Sequence, residues 1–71
     1  MIYVVAGNER EFTCFLKEKG FNRKDCLYVY TVTKLLGRRI KKGESVIYYG
    51  TWWNRPDIAE IRKRIEIIKE R

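Results

Sequence analysis

The 71-residue chain predicts a minimal three-layer α/β domain, with a three-stranded parallel sheet between helices. Three observations carry this. Short apolar runs recur at 2–6 (IYVVA), 26–30 (CLYVY) and 45–49 (SVIYY). Segments of helical periodicity alternate with them, as in parallel α/β proteins. Connections of roughly 15 to 20 residues are long enough for the right-handed crossovers that parallel strands need. The expected element order is β-α-β-α-β-α, with strand order 2-1-3, in one domain over 1–71. A chain this short buries only about 60% of its unfolded surface. Its 45% hydrophobic content, with ten aromatics, is therefore expected to serve mainly as core.

The first strand ends at Gly7. Asn8 follows as a helix N-cap, with Glu11 three residues on in a capping-box-like pair. Phe12, Phe15 and Leu16 make one apolar face, and Gly20 is placed to close the helix with Phe21 against Leu16. Asn22 to Asp25 reads as a polar turn. After the second strand, Val32, Leu35, Leu36 and Ile40 fit a helical stripe that Gly37 weakens or ends. The segment 38–44 has an alternative as a short additional strand. Gly50 stops the third strand. Arg55-Pro56-Asp57 opens the last helix, with Pro56 at its first position and an acid in its first turn. Ile58, Ile61, Ile65 and Ile68 form its inner stripe, and Glu60 with Arg64 an outer i,i+4 pair.

The N-terminus has no charged segment leading into a long apolar one, and no run approaches the roughly 18 apolar residues of a membrane span. A cytoplasmic protein is expected, without membrane association. Cys14 and Cys26 are too few for a disulfide scaffold, and read as free buried thiols. The absence of histidine argues against zinc. A chain without Gln or His and rich in Ile, Lys, Arg and Glu also has a thermophile-like composition.

Net charge is +7 and unevenly placed. Residues 31–56 hold six basic side chains, Lys34, Arg38, Arg39, Lys41, Lys42 and Arg55, against Glu44 alone. The run Lys34, Arg38, Arg39, Lys41, Lys42 is a localised patch suited to a phosphate backbone.

In a parallel sheet the ligand-binding edge is at the strand C-termini, where strand order reverses. With order 2-1-3 that places Gly7-Asn8 opposite Gly50-Thr51. Two helix N-termini, after Asn8 and after Arg55, would offer N–H groups to an anion. Asn8, Thr31, Thr33, Thr51 and Asn54 add neutral hydrogen-bonding groups, Arg55 a fork for phosphate, and Trp52 or Trp53 a stacking surface. One tryptophan is expected to cover the core and the other to face outward with Arg55. The candidate ligand residues are thus Gly7, Asn8, Thr31, Thr51, Trp52, Trp53 and Arg55. Neither G-x-G-x-x-G nor G-x-x-x-x-G-K-[ST] occurs. No Ser–His or Cys–His pair can form without histidine, and no carboxylate pair stands out. A non-enzymatic module without cofactor is expected.

Ala6-Gly7-Asn8, Glu11-Phe12, Gly50-Thr51-Trp52 and Arg55-Pro56-Asp57 together resemble a type of small protein encoded by phages, prophages and archaeal mobile elements. The resemblance spans most of the chain. It implies origin and fold, and brings no catalytic residues with it. Two functions stand: a binding module for nucleic acid or another phosphate-bearing ligand, and a protein-interaction or homodimerisation module using exposed aromatics.

Overall fold

The computed structural model describes residues 1–69. Strand β1 (Ile2–Ala6) lies between β2 (Cys26–Tyr28) and β3 (Ser45–Tyr49), parallel to both, in the order β2-β1-β3. Ile2 stands opposite Cys26 on one side and Ser45 on the other. Because strand side chains alternate between faces, β1 feeds two cores. Val4 and Ala6 pack with Phe12, Phe15 and Leu16 of α1 (Glu9–Lys19). Tyr3 and Val5 pack with Ile61, Ile65 and Ile68 of α2 (Ile58–Ile68). Coverage on both faces is why β1 reads as an unbroken apolar run. The protein is a small α/β domain with its parallel sheet between two helical layers.

Helix α1 forms as its sequence dictates. The Glu11 N–H donates to Asn8 Oδ1 at 2.9 Å. Gly20 adopts φ 70°, a left-handed conformation that costs a glycine little, and the N–H groups of Gly20 and Phe21 both donate to the Leu16 carbonyl. Phe21 then meets the Phe15 ring at 5.6 Å.

The second predicted helix is replaced by a single 3-10 turn, Val32–Leu35. Only a few residues separate Thr31 from Gly37, which turns the chain at φ 75°. One turn that starts on two β-branched residues, Val32 and Thr33, cannot offset the cost of helix nucleation. Leu35 and Ile40 still reach the core, but Leu36 is 54% exposed. The alternative strand over 38–44 reduces to one parallel bridge, Ile40 with Lys69, where the Ile40 N–H donates to the Ile68 carbonyl at 3.0 Å.

Two boundaries also shift. β2 ends at Tyr28 rather than Tyr30, because the Tyr30 N–H folds back onto the Tyr28 carbonyl in a γ-turn. α2 begins at Ile58, two residues later than expected, with Asp57 as its N-cap residue but no capping bond from that side chain. Pro56 therefore precedes the helix. Both cysteines are free, and Cys14 is exposed where a buried thiol was expected, while Cys26 is buried.

Candidate functional site

The strand C-termini share one edge. The chain leaves β1 onto the α1 face, whereas the segments after β2 and β3 leave onto the α2 face. A crevice therefore flanks β1 on each side, at β3 and at β2. Sequence reasoning located only the first.

In the β1–β3 crevice, Gly7 and Thr51 come together as expected, with a carboxylate of the protein between them. Glu11 Oε1 accepts from the Gly7 N–H at 2.9 Å, the Thr51 N–H at 3.0 Å and the Thr51 hydroxyl at 3.1 Å. The capping box is thus displaced: Glu11 reaches past Asn8 to Gly7 and across to β3. The Thr51 N–H is the main cause of a Glu11 pKa below its ordinary value, with burial opposing. A Cβ at Gly7 would fall 2.4 Å from Glu11 Oε1, and one at Gly50 would fall 2.5 Å from the same atom. Glycine at both positions makes room for the carboxylate. The groups assigned to an external anion hold an internal one.

The β1–β2 crevice is floored by Arg55. Its Nη1 donates to the Ala6 and Val29 carbonyls at 3.0 and 2.7 Å. Its Nη2 donates to the Tyr30 carbonyl at 2.5 Å and to Asp57 Oδ2 at 3.0 Å, and Nε donates to Asp57 Oδ1 at 3.0 Å. A guanidinium has five N–H donors, so all are committed. The side chain is 8% exposed. Arg55 is therefore not an outward fork for ligand. It ties the ends of β1 and β2 together, and Asp57, held as its counter-ion, leaves the helix end uncapped. Above it lies a shallow depression of about 430 Å³ lined by Asn8, Glu9, Tyr28, Tyr30, Thr31 and Asp57, among others. Thr31 makes no side-chain cap bond. Burial raises the Tyr28 pKa.

Trp52 to Asn54 form a 3-10 turn rather than extended chain. Trp52 packs on the α2-side core, with its ring 4.8 Å from Tyr48 and the Arg62 guanidinium 6.0 Å from its centroid. Trp53 is the outward one, 62% exposed.

The basic segment lies elsewhere, against the C-terminal end of α2. Lys34, Arg38, Arg39, Lys41 and Lys42 are all exposed. Glu44, the one acid near them in sequence, is held by the Lys41 N–H at 2.8 Å and by the Met1 ammonium at 3.6 Å. Arg38 and Arg39 line a notch of about 370 Å³ with Gly37, Ile67, Ile68, and two cations the sequence reading did not include, Arg64 and Lys69. Arg64 makes no ion pair with Glu60, contrary to the i,i+4 expectation, and its Nε is enclosed without a partner among the described residues. The signal for this pairing was Ile40: an apolar residue inside a basic run must dock, and its neighbours go with it.

Among the described residues no cluster of three His, Cys, Asp or Glu side chains gathers to hold a metal, and no helix is long and apolar enough to cross a membrane. No family model, curated protein or solved structure matches the chain.

Proposed function

We propose that the protein is a non-enzymatic binding module for nucleic acid or another phosphate-bearing ligand, acting through its basic segment rather than its sheet edge. The observation that carries this is the concentration of exposed positive charge in 34–42. Lys34, Arg38, Arg39 and Lys41 form no ion pair with any described residue, and Glu44 is engaged by backbone and N-terminus. Such a surface favours polyanions through counterion release, with little regard for sequence. A cytoplasmic setting, where free thiols persist, suits Cys14 and Cys26.

Fluorescence anisotropy with single- and double-stranded oligonucleotides across a salt series tests this. Engagement of Lys34, Arg38, Arg39 and Lys41 predicts a log–log salt slope of about −3 to −4 on duplex DNA, and roughly −3 on single strands. No binding at low salt, or binding indifferent to salt, would overturn the proposal.

A second reading, homodimerisation, is favoured by β3, an edge strand that carries the exposed Tyr48 and leads into the exposed Trp53. Light scattering over micromolar concentrations decides it, since a constant monomer mass removes that reading.

A further inference from the structure

We infer that the notch between the 37–39 turn and the last turns of α2 is the seat of a phosphate group, with Arg64 as its inner donor and Arg38, Arg39 and Lys69 around it. The inference rests on the binding-module reading and gives it a specific site.

Two segments distant in sequence build the notch, and it is held in register from beneath. The buried Ile40 side chain and the Ile40 N–H bond to the Ile68 carbonyl fix the turn against α2. The cations therefore stand on pinned backbone. Among the described residues no acidic side chain lines the space. Arg64 supplies the most specific sign: its Nε is removed from solvent and has no acceptor among the described residues, although Glu60 lies one turn back. Buried donors in folded proteins nearly always have partners, and a charged donor most of all. A neighbouring helix C-terminus accounts for some positive charge, since it carries about half a negative elementary charge. Four cationic side chains exceed that several-fold. Three of the four are arginines, whose planar forks match phosphate oxygens. A free oligophosphate and a nucleic-acid phosphodiester share this chemistry.

The test follows Arg64 by its Nε–Hε resonance and the 37–40 amides by theirs. Inorganic tripolyphosphate and a single-stranded oligonucleotide with hydroxyl ends are titrated separately at low salt. Saturable shifts confined to these signals and the Lys69 amide are expected with at least one probe. Arg64→Met should weaken that probe by about tenfold or more, the loss of one charge-assisted bond, whereas Arg10→Met on α1 should not. If Arg64→Met fails to fold, Arg64→Lys retains the charge, removes Nε, and should still bind more weakly. Shifts with tripolyphosphate alone make the ligand a free oligophosphate, and shifts with the oligonucleotide make it a strand backbone. Oligonucleotide binding that leaves Arg64 and 37–40 unmoved, with Arg64→Met binding as wild type does, overturns the notch and leaves the module reading standing. Silence with both probes overturns both.

Discussion

Arg55 gathers three main-chain carbonyls and a carboxylate onto one guanidinium. Arg55→Met would strip partners from the ends of β1 and β2 and leave Asp57 without its cation. Removing one member of such a mostly buried pair costs about 3–5 kcal/mol. A domain this size holds roughly 4–10 kcal/mol in all, at about 0.05–0.15 per residue. Urea denaturation should therefore show Arg55→Met with about half its stability lost, and Arg55→Lys, with fewer donors, part-way there. Glu11 sets a different dependence. Its pKa is depressed in the folded state, so its contribution is present above the ordinary value of 4.5 and is lost as pH falls below it. Melting temperatures between pH 7 and about pH 3 should fall less in Glu11→Gln than in wild type. Neither role was legible in the sequence. The residue types and their edge of the sheet were, but whether a fork or carboxylate faces inward depends on partners some 25 to 49 positions away.

At the scale of elements, α1 and the three strands were legible because local signals agreed with burial on both faces. The chain between β2 and β3 was misread because Val32, Leu35 and Ile40 have helical spacing, although tertiary contacts alone hold them. Its anchors can be tested singly. Ile40→Ala should cost about 2–5 kcal/mol, and hydrogen exchange should accelerate in the 38–42 segment more than in β1. Gly50 carries another consequence. At φ 65° and against the Glu11 carboxylate, Gly50→Ala should cost about 1–2 kcal/mol from backbone strain alone, read as a lower urea midpoint. At the start of α2, Asp57 stands at the N-cap position, but Arg55 holds its carboxylate and the helix end goes uncapped.

For the molecule as a whole, the +7 charge sits on a body of 29 × 27 × 16 Å, so self-repulsion opposes folding and polyanions should relieve it. Tripolyphosphate at a hundred times its dissociation constant should add about 2.7 kcal/mol. For so small a domain each kcal/mol raises the melting temperature by about 4–8 °C. Sodium chloride at equal ionic strength should give clearly less. Net charge and its clustering were plain in the sequence. That the cluster would recruit Arg64 and Lys69 was not, because only the fold brings residues 38 and 64 to one notch.

The Glu11 cradle has a further meaning. A carboxylate tethered four residues from the backbone it binds acts as a built-in competitor, present at an effective concentration of about millimolar or more. Dissolved phosphate must outcompete it to reach Gly7 and Thr51. The edge that looks most hospitable to anions is thus self-inhibited, and truncation by Glu11→Ala would vacate a ready-made pocket of main-chain and hydroxyl donors. Selectivity in this protein would then arise as much from the ligand it already carries as from the surfaces it leaves open.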